Sequence, residues 1–290
     1  EAYTNTPVAG NAANPQTLHV AVVNIEGCIA YTTLTIRVLP NPTPSTDAED
    51  IELCDYDNPG DQIEVFDITI NEAYIINGEL GVSAAYYESL ENATDEIDPI
   101  ANPTTYSNIE LGQQTIYVRV TNDTTGCFTI VTFDIIVNPL PDIGDVPDVI
   151  ACELNTDGFY DFDLETVTIE LLGSQDPANF TVTYHETQED ADNAENALVS
   201  PYTNLTNPQL LFVNITNNLT GCTITGAGFN IEVQEAAIAN GDGVPAELII
   251  CDDPNTANDG LAQFNLTDLN AQILDGQDHL NFTVTYNSNE

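Results

Sequence analysis

Three stretches of the chain gather carboxylate and amide oxygens of the kind a hard cation needs. Asp55, Asp57 and Asp61 follow Cys54; Glu153, Asn155 and Asp157 follow Cys152; Asp252, Asp253 and Asp259 follow Cys251. Each set lies in an acidic, Asn/Gly-bearing loop that closes on Phe-(Asp/Asn)-(Leu/Ile), and oxygen ligands in such loops are what calcium takes. Two features oppose a rigid calcium loop. The cysteine-to-phenylalanine spacing is 12, 10 and 13 residues, and no copy holds a full D-x-D-x-D-G. A solvated Asx-rich turn uses the same residues, so both readings stand.

The six cysteines occupy two phases: Cys54, Cys152 and Cys251 open the acidic loops, while Cys28, Cys127 and Cys222 each follow a glycine. Regular pairs of cysteines in a chain without lysine point to disulfides and an oxidising compartment. Zinc is disfavoured, since there is no CxxC and the histidines are only His19, His185 and His279. A sandwich whose first and last strands run parallel and adjacent favours the pairs Cys54–Cys127 and Cys152–Cys222, with Cys28 and Cys251 paired outside this chain or across a split domain. The competing scheme links Cys28–Cys54, Cys127–Cys152 and Cys222–Cys251. The histidines form no constellation, no G-x-S-x-G is present, and no repeat departs from the others in a catalytic-looking way. A non-enzymatic role with no required cofactor, calcium being an optional addition, is the expectation.

The chain carries 47 acidic residues against Arg37 and Arg119, a net charge of −45. Phosphate backbones need a basic footprint, so nucleic acid is excluded as a partner, and so is docking on an anionic membrane face. No apolar run approaches the roughly 18 residues of a membrane-spanning helix. The apolar residues, 42% of the chain, fall in alternating runs, which separates the sequence from an acidic disordered tail. With no Met and no apolar leader, the sequence is expected to be a mature product or an excerpt of a longer one.

The elements that must position the loops repeat with a period near 98 residues, the sign of an array of similar domains. Tyr106-x-Asn108, Gln114–Val120, Gly126-Cys127 and Phe133–Val137 recur as Tyr202-x-Asn204, Gln209–Ile215, Gly221-Cys222 and Phe229–Val233, and earlier as Tyr3-x-Asn5, Gln16–Val22, Gly27-Cys28 and Leu34–Val38. The period-two alternation predicts a hairpin of half-buried strands in each copy. Upstream, each acidic loop leads to a helix-compatible run opened by Asp67, Asp163 or Asn265 as N-cap, with Gly276 near the third stop. A strand follows (82–87, 180–184 and 282–286), then a polar helical turn capped by Thr187, with 89–95 as its counterpart. Pro-rich or Gly/Asn-rich joints at 39–45, 138–142 and 236–245 separate the copies. The expected fold class is all-β: tandem immunoglobulin-like antiparallel β-sandwich domains with short helical insertions. Residues 1–40 form the C-terminal half of a repeat, 46–138 and 146–234 complete sandwiches, and 243–290 an N-terminal half.

The pattern Tyr117-Val-Arg-Val120, Thr125-Gly-Cys127, Asn138-Pro-Leu-Pro141, Phe162-Asp-Leu164 and Tyr184-His-Glu-Thr187 resembles the tandem repeats of very large flavobacterial cell-surface proteins. Those are extracellular adhesin and filament proteins of Bacteroidota, type IX secretion cargo of the gliding-motility adhesin kind. The resemblance spans essentially the whole chain and implies an extracellular, cell-surface stalk or filament. Its partners would be neighbouring repeats or head-to-tail copies of itself, and surface glycans, with no membrane insertion. The alternative is a carbohydrate-binding or docking array of a larger secreted enzyme, which needs an exposed aromatic platform from Tyr86, Tyr87, Tyr184 and Tyr202.

Overall fold

The computed structural model describes every residue except 1, 8, 9, 145, 146, 155, 156, 241–245, 253–259, 289 and 290, and the side chain at 227. The chain forms two compact units, 1–140 and 141–290.

The first unit opens with an antiparallel hairpin, β1 (Gln16–Val23) and β2 (Ile29–Ile36). A complete repeat follows: β3 (Ile51–Cys54), β4 (Val65–Phe66), α1 (Glu72–Ile76), β5 (Val82–Tyr87), α2 (Leu90–Asp95), β6 (Tyr106–Ser107), β7 (Gln113–Asn122) and β8 (Phe128–Asn138). The second unit repeats this order: β9 (Val149–Glu153), β10 (Asp161–Phe162), α3 (Glu165–Leu172), β11 (Phe180–His185), α4 (Gln188–Asn193), β12 (Tyr202–Thr203), β13 (Gln209–Asn217) and β14 (Thr223–Glu235). It ends with a short 3-10 turn (Leu266–Leu269) and α5 (Asn270–Leu274).

Each repeat is a lopsided sandwich. A four-stranded sheet, β3-β8-β7-β5 or β9-β14-β13-β11, faces a two-stranded ribbon, β4-β6 or β10-β12. The inward positions of the long hairpin are Ile116, Val118, Val120, Val131, Phe133, Ile135 and Val137. They pack on Phe66, Ile68 and Ile75 from the ribbon and helix side. The second core repeats the scheme with Leu211, Val213, Ile215, Phe229, Ile231 and Val233 against Phe162, Leu164 and Leu171. Alternation puts one face of each strand in this core and the other outside. The first and last strands are parallel and adjacent, as expected from the sequence, with Ile51 opposite Ile135 and Val149 opposite Ile231.

Three expectations are corrected here. Asp67 and Asp163 do not cap their helices directly. Each carboxylate instead accepts the backbone N–H two residues on, at Thr69 (3.0 Å) and Glu165 (3.1 Å), in an Asx turn that leads into the helix. Asn265 precedes the 3-10 turn but makes no side-chain cap bond to its backbone. Residues 282–286 form no strand, because a strand needs a ladder partner and the hairpin of that repeat is missing from the unit.

Candidate functional site at the repeat entrance

The acidic loop after each cysteine is organised from both ends. At its far end a residue with positive φ stands four before the phenylalanine: Gln62 (57°), Gly158 (80°) and Gly260 (72°). At the complete repeats an asparagine from the Tyr-x-Asn motif reaches across to this point. Asn108 donates to the carbonyl oxygens of Gln62 (2.8 Å) and Glu110 (2.7 Å) and accepts from the Glu64 N–H (2.8 Å). Asn204 does the same with Gly158, Thr206 and the Tyr160 N–H. Two residues before each asparagine, the tyrosine hydroxyl receives a hydrogen bond from the strand glutamine, Gln114 to Tyr106 and Gln209 to Tyr202, both at 2.7 Å. The loop is therefore constant when counted back from the phenylalanine, and its length varies only on the cysteine side.

At the near end, the residue after the cysteine turns its carboxylate inward. Asp55 is 1% exposed. Its Oδ2 accepts the N–H groups of Gly60 (2.7 Å) and Gln62 (3.3 Å). Glu64 accepts those of Tyr56 (2.6 Å) and Asp57 (3.0 Å). Asp252 likewise accepts the Gly260 N–H at 3.0 Å. In all three copies one oxygen of this carboxylate is buried without a hydrogen-bond partner: Asp55 Oδ1, Glu153 Oε2 and Asp252 Oδ1. Neither the acidic composition nor the spacing pointed to this recurring orphan; the one shared signal is an acidic residue directly after each cysteine.

The other sequence-derived ligand candidates are dispersed. Asp61 is occupied with the Ile63 N–H and the Asn58 amide, Asp157 accepts the Phe159 N–H, and Asp57 is exposed. Asn155, Asp253 and Asp259 lie outside the described residues. No three His, Cys, Asp or Glu side chains among the described residues converge on one point.

The cysteines correct the expected pairing. Cys54 and Cys222 are disulfide-bonded, while Cys28, Cys127, Cys152 and Cys251 carry free thiols. Neither Cys54–Cys127 nor Cys152–Cys222 forms, and none of the linker-spanning pairs forms either. For the within-repeat pairs the reason is register. The short first strand pairs with the last residues of the long final strand, Cys54 standing opposite Asn138. Cys127 precedes the other end of that strand, ten steps or about 33 Å away at strand rise.

The remaining polar residues inside the sandwiches hold the fold. His185 is fully buried between the Glu195 carbonyl (2.7 Å) and Thr183 Oγ1 (2.9 Å). Arg119 donates to the carbonyls of Ala93 (2.9 Å) and Thr94 (3.0 Å), meets Glu96 at 3.2 Å and stacks on Phe128. Asn214, the counterpart of Arg119, donates to the Ala191 carbonyl (2.8 Å). Tyr86, Tyr87 and Tyr184 are buried and Tyr202 is half-buried, so they make no exposed aromatic platform.

Repeating sandwiches with one structural motif per joint define a tandem β-sandwich repeat protein. The chain belongs to the Flavobacterium inter-domain disulphide bond domain family, whose model matches residues 50–141, 148–237 and 247–290. No curated protein matches the chain significantly. Among solved structures, chicken VE-cadherin EC1-2 is similar at 10% identity and TM-score 0.20, over 64% of this chain and 97% of that one. Drosophila N-cadherin EC1-4 gives 12% and 0.23 over 76% and 57%. The endo-fucoidan hydrolase MfFcnA4_H294Q of glycoside hydrolase family 107 gives 13% and 0.18 over 80% and 35%. No described helix is long and apolar enough to cross a membrane.

Proposed function

We propose that the chain is a non-enzymatic structural segment of an extracellular, cell-surface stalk or filament. The observation that carries this is the fate of the polar groups. The Tyr-x-Asn clamp, the tyrosine–glutamine bond and the cap of the short helix recur at equivalent positions of both complete repeats, and each is spent on holding the fold. Negative-stain imaging of the purified chain tests the reading. Beads in an extended row are expected, and a single compact globule overturns it. An adhesive role at the tip or flank of such a stalk, and export by type IX secretion, extend the same reading. Binding of intact cells to host or mineral surfaces, lost on deletion of the chain's repeats, is the measurement for the first.

The entrance loops take calcium in this reading. The orphaned carboxylate oxygen after each cysteine supplies one ligand, and calcium completes a shell with backbone carbonyls and water. Calcium is expected to raise the melting temperature of the chain, with a smaller rise in Asp55→Asn. An unchanged melting temperature on adding calcium to chelator-treated protein removes the proposal.

A further inference from the structure

One entrance loop differs from its counterparts in how it would hold a cation. In the first complete repeat two carboxylates turn into the loop, one from each end. Asp55, on the cysteine side, is 1% exposed, and Glu64, on the phenylalanine side, is 8% exposed. Together they accept four backbone N–H groups of the loop, those of Gly60 and Gln62 at Asp55 and those of Tyr56 and Asp57 at Glu64. The backbone fixes both. The Asp55 N–H donates to the Asn138 carbonyl at 3.0 Å, and the Glu64 N–H donates to Asn108 at 2.8 Å. Asp55 Oδ1 remains buried without a partner.

The asparagine clamp identifies the equivalent of Glu64 in the second complete repeat, where the N–H that Asn204 accepts belongs to Tyr160. Tyr160 is 42% exposed and meets Phe162 edge-on, with ring centroids 5.3 Å apart. That entrance therefore has the inward oxygen of Glu153 and no second acid at this position. In the third copy Ala262 stands two residues before Phe264, so the carboxylate of Asp252 again lacks this companion.

Two carboxylates withdrawn from water into one loop repel each other, and buried charge needs a counter-charge. The chain has no lysine. Arg119, the arginine of this repeat, is already engaged with Ala93, Thr94 and Glu96. The counter-charge must come from solution, and a divalent cation balances both acids at once. We propose that Asp55 and Glu64 together hold one calcium ion, which makes the entrance of the first complete repeat the high-affinity site and the other entrances weaker ones. The proposal rests on the calcium reading of the entrance loops and deepens it. Affinity in oxygen-ligand sites follows the number of charged ligands and the rigidity of their mounting, and this loop has the advantage in both. Magnesium keeps several waters in a strict octahedron, for which ligands this deeply buried leave little room.

Calorimetric titration of calcium chloride into the intact, chelator-treated chain is the test. One binding event at least about tenfold tighter than the rest is expected. Glu64→Gln and Asp55→Asn are each expected to abolish that event and leave the weaker ones. Both keep an oxygen for the loop N–H groups, so charge is lost rather than hydrogen bonds. Glu91→Gln removes the same charge from the exposed first turn of α2 and is expected to leave the tight event in place. Melting gives a second readout, which a merely structural glutamate would not produce. In chelator Glu64→Gln is expected to melt no lower than wild type, because the repulsion is gone, and with calcium it is expected to melt lower. No calcium binding at any entrance overturns the calcium reading as a whole. Calcium binding in one affinity class, a tight event that survives Glu64→Gln, or a tight event that magnesium fills equally well overturns this proposal and leaves that reading standing. A Glu64→Gln chain that melts lower in chelator as well reduces the glutamate to a fold contact and overturns the proposal too.

Discussion

At the scale of single residues, the asparagine of the Tyr-x-Asn motif does more than its position in a turn suggests. Asn108 is buried, and its three hydrogen bonds tie the end of the acidic loop to the turn at Glu110 that leads into the long hairpin. Replacing it with alanine leaves the buried Glu64 N–H unpaired, a loss of about 1–3 kcal/mol. Asn108→Ala is therefore expected to lower the urea midpoint with little change in slope, and Asn204→Ala to do the same to the second sandwich. A midpoint unmoved in both would show that the clamp is dispensable. The tyrosines set a second, pH-dependent effect. Burial is the first cause pushing up Tyr106, to about 12, and also raises Tyr86 and Tyr184. A phenol whose folded value is raised keeps its proton more tightly when folded. Its contribution is full below the ordinary value near 10 and is lost as pH rises through the folded value. Stability is expected to be level on the alkaline side of neutrality and to fall from about pH 10 toward 12. Denaturant melts that stay flat across that window would refute it. The loop's organisation was hidden in the sequence for a definite reason. Counting from the cysteine gives variable spacing, whereas the fixed point is the positive-φ residue counted back from the phenylalanine.

At the scale of elements, alternation located the strands and Ser/Thr located the short helices, because both signals are local. Ser89 and Thr187 accept the N–H of Asn92 and Asp190, each at 3.1 Å, as caps of α2 and α4. Thr187 as cap, with 89–95 as the matching turn, was legible for that reason. Ser89→Ala is expected to cost about 1 kcal/mol, read as a lowered melting midpoint of the first complete repeat, with Ser89→Thr restoring it. What pattern alone does not carry is register. That β3 and β8 are parallel neighbours followed from sandwich reasoning, but the short strand could slide along eleven residues of its partner. The observed pairing at the far end moves Cys54 away from Cys127 and removes the expected disulfide. The segment 282–286 makes the same point in the other direction. It has the strand alternation of 180–184, but its ladder partner is a hairpin that this unit does not contain.

At the scale of the whole molecule, thiols and charge give two separable readouts. Four cysteines are free and two are disulfide-bonded, so alkylation under denaturing conditions is expected to label four sites before reduction and six after it, with Cys54 and Cys222 the late pair by peptide mapping. Labelling of Cys127 or Cys152 only after reduction would restore the within-repeat pairing. Charge acts on everything at once. With a net −45, and with Arg119–Glu96 as the one ion pair to an arginine among the described residues, the carboxylates see mainly one another. Attraction between surface ions, the usual contribution that salt weakens, is nearly absent, while self-repulsion in the compact state is large. Salt shortens the reach of that repulsion, from a Debye length of about 30 Å at 0.01 M to about 8 Å at 0.15 M. The sign is therefore reversed from a protein held by surface pairs: the melting temperature is expected to climb with sodium chloride, most steeply at low salt, and then to level off. Tetramethylammonium chloride should give nearly the same curve, because screening needs charge and not a fitted site. An additional rise confined to calcium, and reduced in Asp55→Asn, would then report the entrance loops rather than the general field. A melting temperature flat or falling with sodium chloride would mean that the carboxylates are already neutralised within the fold, against the free-standing repulsion argued here.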